Sequence, residues 1–312
     1  MVKIHSQNKL YDCIIIGGGP SGLTCAIYLA RFSRNVLIID SRQYRNYASQ
    51  GIHGFLGYDG IKPERLLKLA RKEAKSYGVN FVKGKVNKFY KRQEHWKVKI
   101  ENNNFSSRKV VMAYGVKDPL PEIKGFKEYY GKYIFHCPVC DGYEVRGKTV
   151  GIVGDILKVQ GMAYELRQWA ARIILFTNGS KVDPGIGVYK KLKKFNIEIN
   201  EEKLKSFNVK NKSGRYLISE SGKIISVDFI FFATEIQNSC SLAEDLNCSI
   251  NNSNNRITTN RKFETTLKGV FAVGDLAEGP QLVVTACASG AVAAIEINKQ
   301  ILKDMIIKKA PA

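Results

Sequence analysis

Tyr11-Asp12-Cys13-Ile14-Ile15-Ile16-Gly17-Gly18-Gly19-Pro20-Ser21-Gly22 decides the fold. Tyr11–Ile16 reads as a buried strand, a short apolar run that stops abruptly at glycine. Gly17 to Gly22 then fits G-x-G-x-x-G. Leu23, Ala26, Ile27 and Ala30 recur at helical spacing, so a helix begins where the glycines end. Val36-Leu37-Ile38-Ile39 predicts a second strand, closed by Asp40. Gly17 permits the tight turn, Gly19 lets backbone approach a pyrophosphate, and Gly22 lets the helix pack closely. Pro20 and Ser21 open the helix, whose N-terminus faces the phosphate charge, and Asp40 can accept from an adenosine ribose. Strand, loop, helix, strand and acid in this order set the stretch apart from a chance glycine match.

Near the other end, Gly269-Val270-Phe271-Ala272-Val273-Gly274-Asp275 predicts a strand ending in Gly-Asp. After Gln281 comes a long helix, with Ala286, Gly290, Ala293, Ala294, Ile297 and Ile301 on one face. Gly274 and Asp275 can offer N–H groups to a flavin and a carboxylate to its ribityl chain, which favours FAD over NAD as tenant of the first loop. A surface turn with Asp275 as a helix cap is the simpler alternative.

A third motif, His136-Cys137-Pro138-Val139-Cys140-Asp141-Gly142-Tyr143-Glu144, lies mid-chain. Two cysteines at this spacing switch between dithiol and disulfide, and a helix start lowers the thiol pKa. Half of a zinc site reads the same way, but needs a second Cys/His pair at ligand spacing. Cys240 with Cys248, or His53 with His95, does not supply one. Redox chemistry is the favoured reading, with a structural or metal role as the alternative; no metal is expected. Asp141 can donate the proton that a leaving thiolate needs.

On these motifs the chain resembles the low-molecular-weight thioredoxin reductases. It is more closely similar to thioredoxin-reductase-like flavoproteins carrying Cys-Pro-x-Cys-Asp-Gly-Tyr-Glu, among them dithiol oxidases of disulfide-containing metabolites. Arg45-Asn46, His53-Gly54-Phe55-Leu56, Asp59-Gly60 and Arg167-Gln168-Trp169 extend the match over nearly the whole chain. The resemblance implies an FAD-dependent thiol–disulfide oxidoreductase in which Cys140 faces the flavin as the charge-transfer thiolate, Cys137 attacks the substrate disulfide and Asp141 protonates the leaving group. It also implies FAD contacts at Ser41, Arg45, Asn46, His53, Val86, Ala113, Gly115, Gln281 and Leu282, a homodimer, and a partner that is a thioredoxin-like protein or a small-molecule disulfide or dithiol. The expected fold class is α/β, with two Rossmann-like three-layer domains, the second inserted into the first. Residues 1–117 and 245–312 would bind FAD, and 118–244 would carry the cysteine pair in an NAD(P)H-binding-like domain.

The second domain departs from the family. Thr149–Val153 predicts a strand, Met162–Ala171 a helix and Ile173–Phe176 the next strand. Between them lies Gly154-Asp155-Ile156-Leu157-Lys158-Val159-Gln160-Gly161. Ile156 replaces the second glycine, and Asp155 puts a carboxylate where phosphate should approach. After the next strand, Thr177-Asn178-Gly179-Ser180-Lys181 lacks the arginines that hold a 2′-phosphate in the family, and Lys181 is only a point charge. NAD(P)H use is therefore left open, as is the choice between an NADPH-fed reductase, a reductase with another donor and an oxygen-dependent dithiol oxidase. A non-enzymatic flavin redox sensor is the remaining alternative.

The 312 residues suffice for two full cores. A net charge of +21 raises nucleic-acid binding, but the basic residues are scattered rather than gathered in one tail, which favours an acidic protein partner. Cys13, Cys25 and Cys287 lie on apolar segments, as small core residues do. Residues 1–10 lack an apolar run and no stretch reaches transmembrane length, so a reducing cytoplasm is the expected setting.

Overall fold

The computed structural model describes residues 9–210, 214–233 and 235–309. It divides into two compact units. The first holds the chain up to Tyr47, Ile61–Lys117 and everything from Ile236 on; the second holds Ala48–Gly60 and Asp118–Glu235. The chain thus returns to the first unit at Ile236, nearer than residue 245, and a short early segment goes with the second.

In the first unit β1 (Leu10–Ile16) leads through the glycine loop into α1 (Pro20–Arg31) and β2 (Val36–Asp40). Helix α2 (Pro63–Ser76), with proline at its first position, leads into β3 (Asn80–Lys83). An antiparallel meander follows: β4 (Lys88–Arg92), β5 (His95–Ile100) and β6 (Asn103–Met112). The sheet order is β3-β2-β1-β6-β5-β4, and the strand Val270–Ala272 joins β6 in parallel. Cys13–Ile16 and all of β2 are buried, the continuous apolar pattern of a parallel sheet covered on both faces. Helix α1 lays Leu23, Cys25, Ala26 and Leu29 onto one face and packs against the C-terminal helix Val283–Lys309.

The second unit has a five-stranded parallel sheet, in the order Glu198–Asn200, Arg172–Phe176, Thr149–Val153, Phe229–Phe232, Ile134–Phe135. A three-stranded antiparallel sheet (Leu204–Val209, Arg215–Ser219, Ile224–Ser226) accompanies it. Phe126, Phe176, Phe207 and Phe232 fill the core between them. The α/β class and the Rossmann-like parallel sheets follow the sequence reading.

One helix is shifted from expectation. The segment placed over Met162–Ala171 is Ile156–Leu166. Asp155 causes the early start: its carboxylate accepts the N–H groups of Leu157 at 2.9 Å and Lys158 at 3.3 Å, capping the helix. Gly161 lies inside the helix rather than in the loop before it.

Candidate active site

The glycine loop of the first unit is built around backbone contact. Gly17 has φ +112°, and a Cβ there would lie 2.3 Å from the carbonyl oxygen of Ala113. A Cβ on Gly22 would lie 2.2 Å from the Gly17 carbonyl oxygen, so α1 can start here only on glycine. Gly19 is different, since a Cβ built on it meets nothing within 4 Å. It is the N-cap of α1, with Pro20 next and no side chain capping the first turn. An uncapped helix start opening onto free space is the setting that a pyrophosphate requires.

Asp40 ends β2 buried beneath Gly18, whose Cβ would lie 2.5 Å from its carboxylate. It accepts from Arg71 Nη2 at 2.7 Å, from the Arg42 N–H at 3.0 Å and from the Tyr44 hydroxyl. Burial pushes its carboxyl up, but the hydrogen bonds from Arg71, Tyr44 and Arg42 outweigh that and hold it below the usual range. Asp40 is therefore an anchored carboxylate, and a ribose hydroxyl would join an existing cluster. Nothing local in the sequence announces Arg71, which lies 31 residues further on in α2.

The other expected FAD contacts of this unit fall around the same sheet edge. Arg45 Nη1 pairs with Asp275 Oδ2 at 2.9 Å, and Asp275 follows Gly274, whose N–H donates to Ser289 Oγ at 2.9 Å. Gln281 Nε2 is buried without a hydrogen-bond partner, as a donor awaiting a polar ligand would be. The Leu282 N–H donates to Thr285 Oγ1 at 3.2 Å. Ser41 is exposed beside Asp40, Asn46 sits in the short turn Arg45–Ala48, and Gly115 has φ +68°. The Val86 and Ala113 side chains lie in the core, which leaves their backbone to meet a ligand. These features fit FAD. His53 lies instead in the second unit.

There, Cys137 and Cys140 form a disulfide with Cα atoms 5.3 Å apart. Cys137 is the N-cap of the short helix Pro138–Asp141, with proline at its first position and the Cys140 N–H donating to Cys137 Sγ at 3.1 Å. Gly142 admits close packing: a Cβ there would lie 2.5 Å from the Trp169 ring. Asp141 is half-buried, and burial first, then the Glu144 charge, push its carboxyl up to about 7, with His53 partly opposing. An acid poised at neutrality beside a disulfide suits proton transfer to and from sulfur. His136 does not stand alone, for its Nδ1 lies 2.9 Å from the Tyr130 hydroxyl and its Nε2 3.9 Å from Asp118.

The five remaining cysteines are free thiols. Burial raises the pKa of each, which keeps them from thiolate chemistry. Among the described residues no group of three or more His, Cys, Asp or Glu could hold a metal ion.

In the second unit the helix start after the Rossmann strand is already capped. Asp155 occupies the first-turn N–H groups, and Lys158 reaches across to Glu235 at 2.7 Å. Lys181, the lone candidate for a 2′-phosphate after the next strand, pairs with Glu201 at 3.1 Å. These residues do not fit a pyridine-nucleotide diphosphate.

A phosphate-ready loop in one unit and a dithiol motif with its own acid in the other describe a dinucleotide-dependent enzyme of thiol–disulfide exchange. The sequence profile of the pyridine nucleotide-disulphide oxidoreductase family matches residues 11–290, and the chain belongs to that family. It is a thioredoxin-reductase-like, FAD-dependent disulfide oxidoreductase. The thioredoxin reductase of Aquifex aeolicus is 29% identical, over 95% of each chain. A probable thioredoxin reductase of Arthroderma benhamiae is 36% identical over 64% of this chain, which spans about half (53%) of that longer protein. The crystal structure of HlmI superimposes with a TM-score of 0.90 at 30% identity, covering 96% of this chain and 94% of HlmI.

Proposed function

We propose that the chain moves electron pairs between FAD, bound by the first unit, and the Cys137–Cys140 disulfide, and from there to or from a thioredoxin-like protein or a small-molecule disulfide. The observation that carries this reading is a disulfide followed directly by an acid whose carboxyl is held near neutrality. Gly17, Gly19, Pro20, Ser21 and Gly22 would hold the pyrophosphate, Asp40 with Ser41 the ribose, and Arg45, Asn46, Gly274, Asp275 and Gln281 the flavin end. FAD, when bound, supplies a two-electron store.

In the reducing direction the Cys137 thiolate attacks one substrate sulfur, the substrate S–S bond breaks, and the leaving thiolate takes the Asp141 proton. The Cys140 thiol returns a proton to Asp141 and, as thiolate, displaces the second substrate sulfur, which leaves with that proton. The cysteine pair loses two electrons, and Cys140 and Asp141 lose one proton each, so the substrate gains two electrons and two protons and Asp141 is left ionised. Run backwards, the same steps oxidise a substrate dithiol.

A second reading concerns the electron donor. The Asp155 cap, the Lys158–Glu235 pair and the Lys181–Glu201 pair support a donor or acceptor other than NADPH, including oxygen in a dithiol oxidase. Anaerobic titration of the FAD-loaded protein with NADPH, NADH and dithiothreitol separates the cases: bleaching by dithiothreitol alone favours this reading, and bleaching by stoichiometric NADPH sinks it. A flavin redox sensor would be oxidised once and stop, whereas the enzyme turns over.

The assembly we favour is a homodimer. Tyr28 and Phe32 of α1 and Val292, Ile295 and Leu302 of the C-terminal helix are exposed apolar residues on neighbouring helices of the first unit, a surface suited to a second copy. Among the described residues no helix is long and apolar enough to cross a membrane. A cytoplasmic setting suits the free thiols. Scattered lysines suit an acidic protein partner better than nucleic acid.

A further inference from the structure

Ala48–Gly60 packs with the second unit although the sequence separates it from the rest of that unit. The contact is close, since a Cβ on Gly131 would lie 2.1 Å from the Ala48 carbonyl oxygen. The loop is closed on itself by the Gly60 N–H on the Ile52 carbonyl at 2.8 Å and the Gly54 N–H on Asp59 Oδ1 at 3.0 Å. Within it His53 stands between two carboxylates, Nδ1 at 3.5 Å from Asp59 and Nε2 at 3.5 Å from Glu144. The Asp59 side chain is 75% exposed, but His53 and Glu144 are only about one-third exposed, at 33% and 32%. Glu144 lies on the turn Tyr143–Val145, three residues after Asp141 and continuous with the cysteine helix.

We infer that His53, together with the Glu144 it contacts, is a positioning residue that sets the proton occupancy of Asp141, so that the Ala48–Gly60 loop tunes the pH range of the dithiol–disulfide step. This rests on Asp141 being the proton donor proposed above. A carboxylate at Glu144 disfavours a second negative charge on Asp141 and keeps the donor protonated. Positive charge on His53 cancels part of that field, and Asp59, on the far side of the ring, competes for the same imidazole. The charged groups acting on Asp141 are Glu144, which raises its pKa, and His53, which lowers it.

The test uses FAD-loaded enzyme with its cysteine pair reduced, mixed with bis(2-hydroxyethyl) disulfide, whose basic leaving thiolate needs a proton. Quenching by alkylation and counting the modified cysteines by mass spectrometry gives the rate against pH. The alkaline limb should fall with a midpoint near 7. Glu144→Gln should move that midpoint down, and His53→Gln up, by roughly half a pH unit or more, with the double variant between them. A merely structural loop would change amplitude or FAD content and leave the midpoint in place. Should His53→Gln fail to fold, Glu144→Gln decides alone. Unmoved midpoints in variants that retain FAD overturn the inference, provided Asp141→Asn abolishes the limb. If Asp141→Asn keeps the wild-type rate and limb, the proton-donor reading itself has failed.

Discussion

Asp141→Asn should slow the enzyme while making it more stable in alkaline solution. The carboxyl stands near 7 against an ordinary 3.8, so folding favours its neutral form. A group raised in this way gives stability that is fully present below the unfolded value and is lost as pH climbs through the folded one. The rise is worth at most roughly 4 kcal/mol at about 1.36 kcal/mol per unit, and partial exposure cuts this to ~2 kcal/mol. Asparagine keeps the size and carries no such titration. Wild type should therefore lose melting temperature between about pH 4, near the unfolded value, and about pH 8, above the folded one, and Asp141→Asn should lose several degrees less over the same window. The same substitution removes the proton donor, so exchange with an alkyl disulfide should slow by about 10²–10⁴-fold at neutral pH, with FAD retained. Paired melting curves and quenched-exchange rates at the two pH values provide the assay. Equal melting shifts in both proteins would refute the burial argument, and a rate loss of only a few-fold would reduce Asp141 to a helix residue.

Gly19→Leu should fold, because a Cβ there meets nothing within 4 Å, yet it should come out colourless because the side chain fills the phosphate space; a yellow variant with full FAD contradicts the loop assignment. NADPH at micromolar concentration should reduce the flavin slowly and with little advantage over NADH. Each missing guanidinium contact is worth about 1.5–3 kcal/mol, so affinity drops at least ~10–100-fold; fast, saturable bleaching in stopped flow with a strong NADPH preference would defeat this. Cys140→Ser should trap a substrate mixed disulfide on Cys137, seen by peptide mass spectrometry, and a trap found instead on Cys140 in Cys137→Ser would reverse the two roles. Ile295→Glu should shift the light-scattering mass toward one chain, and an unchanged mass would place the subunit contact elsewhere.

Local patterns made the Rossmann start legible. An apolar run, three glycines and a terminal acid each reflect a constraint within a few residues, and the structure builds β1, α1 and β2 accordingly. The cysteine pair is readable for the same reason, since a separation of three residues brings the two Cα atoms to 5.3 Å. The helix starts at Ile156 rather than Met162 because Asp155, besides opposing phosphate, is an aspartate before an apolar periodic run and so a helix N-cap. Arg71 on Asp40 and His53 on Glu144 join residues 31 and 91 positions apart, and no periodicity or spacing rule carries that information.

Asp155 keeps the local fold while working against a phosphate site. A phosphate-binding loop leaves helix N–H groups unpaired until ligand arrives, at some cost in stability. An aspartate cap satisfies them at once and typically stabilises the helix by ~1 kcal/mol, while its charge repels the phosphate. The strand Thr149–Val153, the helix behind it and the parallel sheet all persist. The first unit took the other course, keeping α1 uncapped at Gly19 and Gln281 Nε2 buried without a partner. The first unit thus keeps a helix start open where FAD is proposed to bind, whereas in the second unit the proposed chemistry is concentrated in Cys137, Cys140 and Asp141. Selection for a pyridine-nucleotide donor would work against the Asp155 cap, which supports the proposal that electrons enter or leave through thiols.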